Sequence, residues 1–327
     1  MLASRGNVVV TSGPTLDCRT GTLPSPGSTK MGFSMDRSRV SPHTARQLLR
    51  ARGIRPRKKL GQNFLIDANV ARKIVRRLSP AKGSVFLEVG AGVGALTLPL
   101  AESGARVFAV EIDPRLTPLL ESAVAGYDNV ELMEEDILRV KVPELLSRAG
   151  VERLSTVGNL PYNMTTQIVL YLMENRQYID RALVTVQREY AERLLASPGS
   201  RDYGSITVLT QFYCLISQVM TVSPSCFFPE PEVSSAVLDL RVRGEPAVTA
   251  RNETVFETVV RAAFSHRRKM LVNSLADGLG LDRSKIVQVL EYAGVDGTQR
   301  AEQLGLEELA RIADVFYDEG PSSLCEA

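Results

Sequence analysis

The stretch Val85-Phe-Leu-Glu-Val-Gly-Ala-Gly-Val-Gly-Ala-Leu-Thr97 constrains the fold of this chain more than any other. Its first five residues are an apolar run of the length of a buried parallel strand. Gly90, Gly92 and Gly94 then form a G-x-G-x-G turn, where residues without a Cβ can take φ > 0 and let the backbone approach a ligand. A helix is expected to follow near 94–103. Strand, glycine turn and helix in this order is how an open α/β sheet holds an adenosine-containing ligand at the carboxyl ends of its strands. The next apolar run, 106–112, carries Glu111. It stands 21 residues after Gly90, the spacing at which a carboxylate reaches ribose hydroxyls.

The glycine spacing separates two ligand classes. Dinucleotide folds use G-x-G-x-x-G and set a pyrophosphate on the helix N-terminus. Here the third glycine comes one residue early, and Glu88 stands just ahead of the first. That pattern resembles the S-adenosylmethionine-dependent methyltransferases, whose cofactor has no phosphate and carries a positive sulfonium. A glycine turn with no ligand is the bland alternative.

Asn159-Leu160-Pro161-Tyr162 follows a second apolar run at 154–158. The Asn159 amide oxygen and the Leu160 carbonyl can both accept hydrogen bonds from an exocyclic amine on a flat ring. Pro161 fixes φ and has no N–H, so the turn is stiff. Tyr162 offers a face for stacking. Four residues alone would otherwise describe an ordinary strand-to-turn loop.

The 327 residues suggest two domains, with 44% hydrophobic and 23% charged residues, as in ordinary globular chains. The longest uncharged apolar stretch, 89–101, is too short and glycine-rich to span a bilayer, so no membrane association is expected. The four scattered cysteines contain no C-x-x-C, which implies a reducing compartment and no metal site. With only His43 and His266, neither a Ser-His-Asp triad nor a His-ligated metal centre is expected, and surface or capping roles suit both. Residues 1–60 carry 12 Lys/Arg against 2 Asp/Glu, leaving 27 against 35 from totals of 39 and 37. A basic arm on a mildly acidic body points to a polyanion met by one face. A solubilising tail would read the same over 1–45, whereas Arg55-Pro-Arg-Lys-Lys59 favours binding.

Residues 1–44 read as a disordered basic extension, rich in Ser, Gly, Thr and Pro. A short basic helix is expected from 44 to 52, and Asp67 should cap a helix over 68–78. Strands near 85–90, 106–112, 130–134, 154–158 and 181–187 alternate with helices near 94–103, 115–124, 143–149, 164–175 and 188–196. Such alternation predicts a doubly wound, Rossmann-like parallel sheet for a domain over 45–244. Two late strands, 215–222 and 236–242, are expected as a hairpin at one edge. A small all-helical domain over 245–327 should carry helices near 252–264, 267–277, 283–293 and 306–317.

Eight motifs in order resemble the small-subunit ribosomal RNA adenine dimethyltransferases of the kasugamycin-sensitivity type over about 45–320. They are Lys59-Leu-Gly-Gln-Asn-Phe-Leu65, Leu87 to Thr97, Val110-Glu-Ile-Asp113, Glu135-Asp-Ile-Leu138, Gly158-Asn-Leu-Pro-Tyr-Asn163, Val186-Gln-Arg-Glu189, Phe227-Phe-Pro-Glu-Pro-Glu-Val233 and Phe264-Ser-His-Arg-Arg-Lys-Met-Leu271. The resemblance implies a monomeric cytoplasmic enzyme. Using S-adenosylmethionine, it would dimethylate N6 of two adjacent adenosines in the 3′-terminal hairpin of small-subunit rRNA, within the immature small subunit. It implies that Asn63 and Leu65 line the methionine side of the cofactor, that Gly90 and Gly92 pack on it, that Glu111 takes the ribose, that Asp136 meets the adenine amine, and that Asn159 borders cofactor and target. The family often has Lys and Asp where Glu232 and Ser234 stand.

On this reading Tyr162 and Phe227 sandwich the target adenine, with core filling as the alternative for Phe227 and the more natural role for Phe228. RNA phosphates would meet Arg57, Lys58, Lys59 and Arg267, Arg268, Lys269, either set of which could equally be a solvated charged face. Two other functions stay open: a large-subunit rRNA adenine methyltransferase of the macrolide-resistance type, and a non-catalytic ribosome-assembly or transcription factor on the same fold.

Overall fold

The computed structural model describes residues 15–16 and 42–318. Its strands are β1 (Thr15–Leu16), β2 (Phe64–Leu65), β3 (Val85–Val89), β4 (Arg106–Glu111), β5 (Val130–Glu134), β6 (Leu154–Asn159), β7 (Ile179–Gln187), β8 (Cys214–Val222), β9 (Phe227–Phe228) and β10 (Ser235–Val242). Its α-helices are α1 (Pro42–Ala51), α2 (Ala68–Leu78), α3 (Thr97–Glu102), α4 (Thr117–Val124), α5 (Val142–Ala149), α6 (Thr165–Glu174), α7 (Arg188–Leu194), α8 (Ser205–Tyr213), α9 (Glu253–Ala263), α10 (Leu271–Leu279), α11 (Arg283–Ala293) and α12 (Leu306–Asp318).

The main sheet runs β1-β8-β10-β7-β6-β3-β4-β5. Strands β3 to β7 pair in parallel, which places the ends of β3, β4 and β6 side by side. All five residues of β3 are buried, as a strand covered on both faces requires. The doubly wound expectation holds. The strands β8 and β10 are neighbours beside β7 at one edge, where the late pair is expected, with β10 the inner of the two and the two-residue β1 outside β8. Arg181 of β7 grips Asp239 of β10 through two bonds of 2.6 and 2.7 Å, and Asp239 is buried.

The described residues divide into two compact units, 15–16 and 42–188 with 218–240, and 189–217 with 241–318. The expected boundary near 244 falls close to one crossing, but residues 189–217 belong with the helices. In that helical unit, Phe212 of α8 stacks on Phe256 of α9 at 4.1 Å, and the Tyr213 hydroxyl donates to Glu257 at 2.8 Å. The helix α8 is not among the expected elements. Among the described residues, no helix is long and apolar enough to cross a membrane.

In the sheet unit, Asp67 caps α2 as expected: its Oδ1 accepts from the Asn69 and Val70 amides at 2.8 and 3.1 Å. The apolar face of α2, with Ile74 and Val75, packs with Phe86, Leu100 and Val157. The short strands β2 and β9 pair antiparallel, Phe64 with Phe228 and Leu65 with Phe227. This small ribbon brings the segment before α2 to the carboxyl ends of the main strands, where the cleft lies.

Candidate active site

The turn after β3 is built as its glycines foretell. Gly90, Gly92 and Gly94 have φ of 71°, 59° and 87°, a region costly for residues with a Cβ. The Gly90 and Ala91 amides both donate to the Val110 carbonyl at 3.0 Å, pinning the turn to β4. Glu111, at the end of β4, closes it: its Oε2 accepts from the Gly92 amide at 2.8 Å and its Oε1 from the Asp113 amide at 2.9 Å. Each oxygen keeps a spare lone pair for a hydroxyl. Burial raises the Glu111 pKa above the ordinary carboxylate value. One strand away, burial pushes Glu88 up to about 8, and its Oε2 is buried without a hydrogen-bond partner.

The open cleft is walled by the loop 60–64, Gly90 and Gly92, Glu111 and Ile112, and residues 159–161. Five expected cofactor residues therefore meet here: Asn63, Gly90, Gly92, Glu111 and Asn159. Leu65 and Asp136 do not line it. The Leu65 side chain packs in the core between α2 and the sheet, so only its backbone remains near the cleft rim. Asp136 is half-buried and spends Oδ1 on the Leu138 amide at 3.0 Å, capping a short 3-10 turn after β5.

Asn159 carries the most telling geometry. Its Nδ2 donates to the Asn63 carbonyl at 2.6 Å. Only the NH2 end of an amide can make that bond, so the orientation of the side chain is fixed. Its Oδ1 is left buried with no partner. Thr185, its register partner on β7, likewise holds a buried hydroxyl with no partner. The Leu160 amide donates to the Thr185 carbonyl at 3.0 Å, which anchors the start of the Asn-Leu-Pro-Tyr turn. Tyr162 is half-buried, and its hydroxyl lies 2.7 Å from Ser235 Oγ.

The expected sandwich is not formed as drawn. Phe227 is 1% exposed and packs in the core with Leu65 and Cys226, so it presents no face. Because β9 alternates sides, Phe228 is the half-buried ring; it packs near Phe64 and Leu116, with the Arg46 guanidinium over its face at 4.8 Å. The alternative role of core filling fits Phe227 here.

The basic residues fall in both units. Arg57, Lys58 and Lys59 are exposed directly before the cleft loop. Arg267, Arg268 and Lys269 are exposed in the helical unit, where Lys269 pairs with Asp277 at 2.5 Å and Arg267 donates to the Arg201 carbonyl at 2.6 Å. Sequence reasoning missed Gln62, Ile112, Asp113 and Thr185. Ile112, 47% exposed at a strand end, gives the cleft an apolar wall for a flat ring. Its place inside Glu-Ile-Asp113 was the available signal.

A parallel sheet with a glycine turn, a buried acid that closes the turn and an unpartnered amide oxygen at three adjacent strand ends is the arrangement of the S-adenosylmethionine-dependent methyltransferase class. The cleft fits that cofactor: Gly90 leaves room where a Cβ would stand, Glu111 can accept hydroxyls, and Ile112 offers apolar surface. A model of the family described as ribosomal RNA adenine dimethylase matches residues 53–318. The chain belongs to that family and is an S-adenosylmethionine-dependent rRNA methyltransferase. It is 43% identical over 280 residues to the ribosomal RNA small subunit methyltransferase A of Moorella thermoacetica, covering 84% of this chain and 97% of that protein. The protein of that name from Pelotomaculum thermopropionicum is 43% identical over 289 residues, covering 86% and 98%. Among solved structures, a dimethyladenosine transferase from Plasmodium falciparum shares the fold, with a TM-score of 0.65 at 23% identity over 77% of this chain and 96% of that one. The 23S rRNA methyltransferase ErmE matches with a TM-score of 0.57 at 29% identity over 77% and 99%.

Proposed function

We propose that this enzyme dimethylates N6 of two adjacent adenosines in the 3′-terminal hairpin of small-subunit rRNA. It acts as a monomer on the immature small subunit in the cytoplasm and so contributes to subunit biogenesis. The relatives at 43% identity are small-subunit methyltransferases, which supports this choice of RNA. The observation that carries the chemistry is the buried, unpartnered Asn159 Oδ1, aimed by the bond from Nδ2 to Asn63.

The adenine N6 lone pair is delocalised into the ring and is a poor nucleophile. Asn159 Oδ1 accepts one N–H of the amine and the Leu160 carbonyl the other. Both draw the nitrogen toward tetrahedral geometry and concentrate electron density on it. Asn63, Gly90 and Glu111 would hold S-adenosylmethionine at the cleft, where it would supply an electrophilic sulfonium methyl whose S–C bond breaks as the N–C bond forms, the sulfur leaving as a neutral thioether. Once the nitrogen is cationic its proton is acidic, and it leaves to these acceptors or to water; no histidine is needed. The protein's contribution is positioning and electrostatic stabilisation.

The target base must leave its stack at a cost of a few kcal/mol. Stacking on Tyr162 offsets this by about 1–3 kcal/mol. After the first transfer one N–H remains, so one of the two acceptors suffices for the second.

A large-subunit substrate is the second reading, favoured by the likeness to ErmE. The test supplies methyl-labelled S-adenosylmethionine with immature small subunits and with unmodified large subunits, then digests the RNA to nucleosides. N6,N6-dimethyladenosine confined to the small-subunit 3′ hairpin is the expected product. Label in large-subunit RNA would move the enzyme to the resistance type, and saturable binding without label would make it an assembly factor.

A further inference from the structure

Asp113 has a carboxylate with no exposed surface, yet it stands among cations and amides rather than apolar groups. The Arg115 guanidinium holds it through Nε at 2.9 Å and Nη2 at 2.5 Å. Arg57 reaches within 3.9 Å from the basic segment. The Gln62 Nε2 donates to Asp113 Oδ2 at 2.8 Å, and Gln62 Oε1 accepts the Arg57 amide at 2.8 Å. Arg115 also donates to the Arg55 carbonyl at 3.3 Å. Two elements far apart in sequence are thus stitched together over the rim of the cleft.

The other end of this segment is tied as closely to the target motif. The Asn63 carbonyl accepts from Asn159 Nδ2, and the Lys59 carbonyl accepts from Asn163 Nδ2 at 2.8 Å. Gly61 makes the bend between them with φ 61°. Residues 57–63 therefore form a strap. One side is fastened to Asp113 beside the ribose-reaching Glu111, and the other to the Asn159 and Asn163 amides.

We propose that Asp113 is a positioning residue, which, by clamping Gln62, sets the Asn63 carbonyl that aims Asn159 and holds the strap over the cofactor cleft. The clamp is electrostatically durable. Arg115, ahead of the Gln62 bond, lowers the Asp113 pKa to about 2, so it stays ionised at any pH where the enzyme works. The inference rests on the cofactor cleft and not on the identity of the RNA.

The test uses the full chain with Asp113→Asn, Gln62→Ala and the double variant. Two readouts need no RNA: the S-adenosylmethionine dissociation constant by calorimetry, and the rate of tryptic cleavage after Lys58 and Lys59. Each single variant should weaken cofactor binding roughly tenfold, the size expected for one hydrogen bond to a charged group. The double variant should be no worse than the poorer single, because both changes cut one chain of contacts. Cleavage of the strap should quicken in all three while Tm is nearly unchanged. Unchanged cofactor affinity, multiplicative losses in the double, or losses that simply follow a fall in Tm would overturn the proposal. Gln62 lies in the half-buried loop outside the core, so its variant keeps the test decisive if Asp113→Asn folds poorly.

Discussion

Gly158 and Val89 face each other in register across β6 and β3, and a Cβ on Gly158 would lie 2.7 Å from the Val89 carbonyl oxygen. Neither strand can move aside, since each is paired on both edges. Gly158→Ala is therefore expected to lower stability by about 1–3 kcal/mol through overpacking. It should also weaken cofactor binding, because the strain falls between the two strand ends that frame the cleft. Denaturant midpoints and calorimetry on the same sample check both.

Glu88 makes stability depend on pH. Its folded pKa of about 8 lies above the ordinary value of 4.5, so the folded chain keeps a proton that the unfolded chain gives up. Its contribution is fully present below about pH 4.5 and is lost as pH rises toward 8, at up to roughly 1.4 kcal/mol per unit. Glu88→Gln should remove this slope and leave the variant relatively more stable at pH 8 than at pH 5. Midpoints measured across that window test the sign, and parallel curves for the two proteins would refute it.

Tyr162 separates ring from hydroxyl. Tyr162→Phe loses the bond to Ser235, worth about 1 kcal/mol, and should cost less than tenfold in kcat/KM. Tyr162→Ala loses the stacking face and should cost well over tenfold. Equal effects in steady-state methylation would assign the role to the hydroxyl.

Lys58 and Lys59 stand exposed beside the cleft loop, where phosphates would meet them. Neutralising both to Gln should reduce the slope of log affinity against log salt by about 1.4–1.8, the share of two phosphate contacts. An unchanged slope in RNA-binding titrations would leave them as a solvated face.

The parallel framework was legible in the sequence because a strand buried on both faces reads as an unbroken apolar run, as Val85–Val89 does. Five of the expected cofactor residues also met at the cleft, since glycines and strand-end acids carry their geometry locally. What escaped was set by contacts distant in sequence. Ser205–Tyr213 is rich in β-branched and aromatic residues, poor helix formers, yet it forms α8 because Phe212 stacks on Phe256. That β10 and not β8 is the strand beside β7 is marked by the Arg181–Asp239 pair, 58 residues apart. Which of Phe227 and Phe228 faces inward depends on their pairing with Leu65 and Phe64. Gln62 and Asp113 gain meaning only once the strap lies over the cleft.

In the proposed chemistry Asn159 Oδ1 accepts from the target amine, and its loss should be felt in the transfer step. The most direct measurement is single-turnover methyl transfer by Asn159→Ala at saturating cofactor, with RNA affinity determined in parallel. Losing an oriented acceptor that acts in the transition state should slow transfer at least about 100-fold. RNA affinity should stay nearly unchanged. Weakened RNA binding with a normal transfer rate would show that Asn159 holds the RNA rather than the reacting amine.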